Sequence, residues 1–216
     1  MHLLLAQKGS VNESDEAVDL GQSPGDVVFV SAADTEIASL AAASKLRKKS
    51  ASSQKDFASL RLANLMQLSH PMSVDVYCDN TLAQSKLIIV RVLGGESYWP
   101  YGLERLHATA VSHNIDLVVL PGDDKPDAGL ERFCTLGHET CERLWQYLIQ
   151  GGPQNMQLLL EYCDFLLERG EEPAGAVPLL KAGLWYPGLG ICSLDEVRSQ
   201  WQENRPVVAI NFYRAL

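Results

Sequence analysis

Three runs of branched apolar residues constrain this chain more than any other feature: Val27-Val28-Phe29-Val30, Leu87-Ile88-Ile89-Val90 and Leu117-Val118-Val119-Leu120. Each is nearly continuous rather than alternating, so a strand made from it offers no polar face to water. Such strands must be covered on both sides, as in a parallel sheet flanked by helices. Together with two weaker runs they predict strands over His2–Ala6, Asp26–Ser31, Ser59–Leu68, Lys86–Leu93 and Ile115–Leu120.

Helical signals fall between these strands. Asp34 is placed to cap a helix over Thr35–Lys49, which is rich in Ala and Leu. Tyr98–Ser112 carries Leu103, Leu106 and Ala110 near helical spacing. Pro71–Ser85 contains Val74-Asp75-Val76-Tyr77, which alternates like a strand. Parallel neighbours need a crossover, however, and His70-Pro71 is a good helix entry, so the segment is expected to be helical. Residues 1–125 therefore read as β(αβ)n, a doubly wound α/β domain of flavodoxin type.

Residues 126–203 read as a mainly helical annex. Leu130, Cys134, Gly137, Cys141, Leu144 and Leu148 fall on one helical stripe, and Cys134, Gly137, Cys141, Leu144 and Leu148 are expected to be buried on one helix face. Gly151-Gly152-Pro153 ends that helix and opens another over Pro153–Arg169. A loop rich in Gly and Pro follows to Gly190, with a short helical piece expected around Ala176–Ala182 and a last helix over Leu194–Gln202. Residues 204–216 hold another buried-type strand, Pro206–Phe212. It is either the first strand of a further α/β unit or an edge strand of the first sheet.

A formal net charge of −9 argues against nucleic acid and against anionic membrane surfaces. No apolar run approaches the roughly 20 residues of a membrane helix. The opening Met1-His2-Leu3-Leu4-Leu5-Ala6 lacks preceding basic residues and reads as a strand, not a signal peptide. A cytoplasmic, reducing location is expected, with the 5 cysteines as free thiols. Neither Gly-x-x-x-x-Gly-Lys-Ser/Thr nor Gly-x-Gly-x-x-Gly occurs, so standard ATP or dinucleotide binding is not expected.

Three stretches carry a family resemblance: Arg91-Val92-Leu93-Gly94-Gly95-Glu96-Ser97-Tyr98-Trp99-Pro100-Tyr101-Gly102-Leu103-Glu104-Arg105-Leu106, Leu120-Pro121-Gly122-Asp123-Asp124-Lys125-Pro126-Asp127, and Gly151-Gly152-Pro153-Gln154-Asn155. With the opening and the Phe212-Tyr213-Arg214 tail, they resemble the N-terminal region of the aerobic cobaltochelatase large subunit (CobN). The resemblance to the magnesium chelatase H subunit is looser. Family members are several times longer than this chain. The resemblance implies the tetrapyrrole-binding subunit of an ATP-dependent enzyme that inserts cobalt into hydrogenobyrinic acid a,c-diamide during cobalamin (vitamin B12) synthesis. It implies as partners the corrin, the remainder of the same subunit and AAA-type subunits that hydrolyse ATP with magnesium. No cofactor is expected on this segment, and its catalytic groups are expected beyond residue 216. The alternative is a non-catalytic docking domain for the AAA partners or a metal carrier. A flavin-binding role fits less well, because Gln7-Lys8-Gly9-Ser10-Val11 lacks the Ser and Thr of a flavin phosphate loop.

The turns after the strands share one rim in an open parallel sheet, where ligands usually sit. Gly94 and Gly95 lie there, and one or the other is expected to take a backbone conformation that a side chain would strain. Tyr98, Trp99 and Tyr101 could offer flat faces to a macrocycle or to another domain, or could instead pack the following helix onto the sheet. Asp123, Asp124 and Asp127 could attract a divalent ion, but Asp127 is better placed as a helix cap. Cys134, His138 and Cys141 would spread over about 10 Å of one helix axis. That is too far for one tetrahedral ion to reach both cysteines directly. No catalytic or metal-ligating residue is assigned to this segment.

Overall fold

The computed structural model describes residues 16–50, 57–179, 182–202 and 204–211. The strand expected over His2–Ala6 and the end of the one expected over Pro206–Phe212 lie outside the described residues. All three branched apolar runs form strands: β1 (Val27–Ser31), β3 (Leu87–Val92) and β4 (Asp116–Pro121). The fourth, β2 (Leu60–Asn64), is shorter than the expected Ser59–Leu68. Asn64 ends it by accepting the Met66 N–H at 2.8 Å, which turns Leu65–Leu68 into a 3-10 helix.

The strands form one parallel sheet in the order β2-β1-β3-β4. The connections are α1 (Asp34–Ser50), α2 (Pro71–Asn80) and α3 (Pro100–His113). The order reverses at β1, whose two neighbours leave from its opposite sides; this is the switch point of a doubly wound sheet. His70 opens α2 by accepting the Met72 N–H on Nδ1, with Pro71 in the first turn. Asn114, in the left-handed conformation at φ 53°, closes α3.

Both faces of the sheet are covered, as the continuous apolar runs require. Val28, Val30, Ile88, Val90, Leu117 and Val119 point to the face packed by α2 and α3. The intervening Val27, Phe29, Leu87, Ile89, Val118 and Leu120 point to the other face. There α1 is joined by α5 (His138–Gln150) and α6 (Gly152–Leu166), so the helical annex supplies two of the three helices on that face. A buried ion pair pins this layer. Asp164 accepts from Arg47 at 2.7 Å and from the Ala58 N–H at 2.9 Å.

The stripe expected from Leu130 to Leu148 is not one helix. The four-residue helix α4 (Ala128–Glu131) ends, and residues 132–137 are non-helical before α5 begins. The reason lies in β4, an edge strand among the described residues, whose backbone groups need partners. Thr135 N–H donates to the Leu117 carbonyl at 2.8 Å, and the Thr135 hydroxyl accepts from the Leu117 N–H at 2.7 Å. Cys134 Sγ accepts from the Val119 N–H at 3.2 Å. The segment thus seals the edge. Cys141, Leu144 and Leu148 are buried on α5, whereas Cys134 is half-buried and Gly137 is exposed.

Gly151 and Gly152, at φ 60° and 81°, make the sharp joint between α5 and α6. Asn155 explains the rest of that motif. Fully buried, it donates to the carbonyls of Gly151 and Val177 and accepts the Val177 N–H at 2.8 Å, tying the following loop down.

Contacts divide the chain into two compact units, one ending at Val177 and the other beginning at Pro178. Around this boundary residues 176–179 form no helix, contrary to the short helical piece expected over Ala176–Ala182. The second unit contains an antiparallel hairpin, β5 (Leu184–Tyr186) and β6 (Gly190–Cys192), turned by Gly188 and Gly190 at positive φ. Next comes α7 (Leu194–Ser199), opened by a capping box between Ser193 and Glu196. The strand expected from Pro206 is not formed over residues 206–211. A lone strand has no neighbouring ladder to pair with.

Candidate functional site

The carboxyl ends of β3 and β4 open onto a cleft of about 410 Å³. Its walls include Val92, Gly94, Gly95, Asp123, Lys125 and Asp127. Gly94 and Gly95 sit at φ 100° and 74°, so both take conformations that side chains avoid. A Cβ on Gly95 would also lie 2.9 Å from Asp127 Oδ2. Asp127 is a cap, as its position in sequence suggested: Oδ1 accepts the Gly129 N–H at 2.9 Å at the start of α4. Asp123 Oδ1 accepts the Lys125 N–H at 3.1 Å and turns the loop. Among the described residues no group of three or more His, Cys, Asp or Glu side chains is placed to hold a metal ion.

The aromatic cluster disperses around this cleft. Trp99 is buried, and its indole N–H donates to the Leu68 carbonyl at 3.0 Å. A Cβ on Gly102 would come within 1.9 Å of the Trp99 ring, so glycine there is the condition for Trp99 to lie flat on α3. Tyr101 points to α2, where its hydroxyl meets the Asp75 carboxylate at 2.9 Å. Tyr98 is half-buried against the core, and its Cβ would lie 3.5 Å from one placed on Gly94. Gly94 and Gly95 thus line the cleft, whereas Trp99 and Tyr101 are committed elsewhere.

Behind the rim lies a buried polar network that the sequence reading missed. Arg91 is 6% exposed and sits within β3. It donates to the carbonyls of Pro121 and Gly122, each at 3.0 Å, and pairs with Glu36. Glu36 also accepts the Ser31 hydroxyl at 2.7 Å, while Ser31 Oγ accepts the Ala33 N–H at 3.1 Å. Burial pushes the Glu36 carboxyl above its ordinary value; Arg91 and Ser31 hold it back only in part. The network joins the ends of β1, β3 and β4 across the switch point. A guanidinium in an otherwise apolar strand run was the available signal.

Cys134, His138 and Cys141 are not brought together as a group placed to hold an ion. His138 is exposed and lies 3.6 Å from Glu131. A hydrogen bond from Cys141, aided by the Val119 N–H and opposed by burial, lowers the Cys134 thiol below the ordinary thiol value. The same bond and burial raise Cys141.

No family model matches the chain. Aligned over all of it, the chain is 50% identical to the aerobic cobaltochelatase subunit CobN of Sinorhizobium sp. Over 99% of its length it is 38% identical to the protein of the same name from Pseudomonas aeruginosa. It spans 17% of the length of each relative. In fold it is similar to the catalytic subunit of cobaltochelatase from Mycobacterium tuberculosis, with a TM-score of 0.56 and 23% identity. That match covers 74% of this chain and 12% of the other. Related along its whole length to both curated subunits, the chain belongs to the CobN family of aerobic cobaltochelatase subunits.

Proposed function

We propose that this chain is part of the corrin-binding subunit of an ATP-dependent cobaltochelatase, which inserts cobalt into hydrogenobyrinic acid a,c-diamide for cobalamin synthesis. The observation that supports it is the 50% identity, over the whole chain, with a relative named as a cobaltochelatase subunit. The corrin and cobalt are substrates. ATP and magnesium act on AAA-type partner subunits, and the ligands that deliver cobalt belong to other parts of the subunit. Within this segment the glycine turn at Gly94–Gly95 gives a backbone surface that a large flat molecule can approach closely. No catalytic role or resident cofactor is assigned here. Five free cysteines suit a reducing, cytoplasmic setting.

A second reading has its own support. Trp99 is buried and Tyr101 is held by Asp75, so neither offers the cleft a flat aromatic face that would grip a macrocycle. On this reading the segment is a docking domain for the AAA partners or a metal carrier. Titrating the 216-residue chain with the corrin and following its absorbance separates the two. A saturable spectral shift that Gly95→Val abolishes supports corrin binding at the rim. An unchanged spectrum leaves the docking role. Neither chelatase nor ATPase activity is expected from the chain alone, and cobalt insertion by it would overturn the assignment.

A further inference from the structure

The unit that begins at Pro178 has formed secondary structure but no core. None of its described residues is buried. Trp185 and Ile191 face one another across the hairpin, yet they are 64% and 67% exposed. Trp201, Val207, Val208 and Ile210 are also exposed, the last two above 80%. A two-stranded hairpin is marginal in water, and burial is what normally stabilises it. This hairpin carries its apolar residues where nothing in its own unit repays their exposure. Val207-Val208-Ala209-Ile210 is apolar at every position, the pattern of a strand covered on both faces, yet the described residues form no strand there.

The missing cover must therefore supply both a sheet edge and apolar surface. Interfaces this apolar are typically permanent rather than transient. The relatives that match this chain from end to end are about six times its length, since it spans 17% of each. A cover on the same polypeptide acts at high effective concentration and needs no partner to be captured from solution.

We propose that residues 207–210 add as a strand to a sheet built by the rest of the full-length subunit, and that Trp185 and Ile191 pack against that same body. This rests on membership of the CobN family and not on corrin binding. The test reads amide exchange without corrin, cobalt or ATP, so its failure is distinct from failure of the proposed activity.

The experiment replaces the matching segment of the full-length Sinorhizobium relative with this chain. Hydrogen exchange at 207–210 is then compared between that protein and the 216-residue chain, with Leu87–Val92 as the internal reference. Slowing of about 100-fold or more at 207–210, with no change in the reference, is the expected result. Val208→Asp should abolish the slowing, whereas Val111→Asp, exposed on α3, should not. If the chimera does not fold, the unaltered relative and its own matching segment are compared over the aligned residues. Equal exchange in the long and short proteins overturns the proposal. So does protection in the 216-residue chain that rises with its concentration, because the cover would then be a second copy.

Discussion

The two ends of the sheet each hold a carboxylate tied to an arginine, and the two are built differently. At the amino ends, Asp26 accepts from the Ser59 N–H at 2.9 Å, the Ser59 hydroxyl at 2.7 Å and Arg169 at 2.8 Å, with Lys86 at 3.3 Å. Desolvation pushes Asp26 up, but these partners together outweigh it and hold the carboxyl well below the usual range. At the carboxyl ends, desolvation wins and Glu36 is raised. The amino end is therefore a closed staple, saturated with donors, that joins the start of β1 to the loops before β2 and after α6. The carboxyl end keeps a carboxylate on which protonation and charge compete, beside turns that glycine keeps open. Ligand rims of doubly wound sheets are expected at the second kind of end.

Arg91→Met should have the largest effect. It leaves Glu36 without its counter-ion and the carbonyls of Pro121 and Gly122 without a donor. A loss of about 3–5 kcal/mol in urea unfolding is expected. A loss under about 1 kcal/mol would mean that the backbone alone holds this rim.

Asp26→Asn should cost about 3 kcal/mol near neutral pH, because several charge-assisted hydrogen bonds weaken together. A lowered folded-state value means that Asp26 stabilises fully above the ordinary carboxylate range of about 4. That contribution is lost as pH falls through the lowered value. The variant should show a flatter acid limb than the parent in unfolding measured from pH 7 downwards, and parallel limbs would remove Asp26 from the account.

Gly95→Ala should cost about 2 kcal/mol, from positive φ together with the 2.9 Å approach to Asp127. Thermal unfolding checks this against Gly175→Ala, where an added methyl meets nothing within 4 Å and a change within about 0.5 kcal/mol is expected.

Glu36→Gln should cost least, about 1 kcal/mol, because the folded site already disfavours the charge that the substitution removes, while Arg91 keeps the carbonyls of Pro121 and Gly122 as acceptors and the new amide oxygen can accept from it. A raised carboxyl is an unfavourable contribution at neutral pH that is relieved as pH falls towards about 4.3. The parent should therefore gain stability relative to Glu36→Gln over that interval, opposite in sign to the Asp26 pair. Equal costs for the two substitutions would erase the contrast between the ends.

Much of the α/β unit was legible in the order of residues. Continuous branched runs located β1, β3 and β4 because a strand with no polar face has only one stable setting. His70-Pro71, Asp127 and Gly151-Gly152-Pro153 marked helix ends because caps and joints are made by neighbours in sequence. A strained glycine at Gly94 or Gly95 was likewise readable, since the chain must turn sharply between a strand and a helix; that both take positive φ came from the structure. What only the tertiary structure decided depends on groups far apart in the chain. The break between α4 and α5 exists because the edge of β4 takes Cys134 and Thr135 as partners, so a regular apolar spacing did not become one helix. Trp99 turned inward because Leu68, 31 residues earlier, offers its carbonyl and Gly102 leaves room for the ring. The Ser31–Glu36–Arg91 network was invisible for the same reason: its members meet only when β1 and β3 lie side by side. Local spacing reports what a residue's neighbours in sequence require, whereas partners brought together by the sheet are set by packing that no single segment encodes.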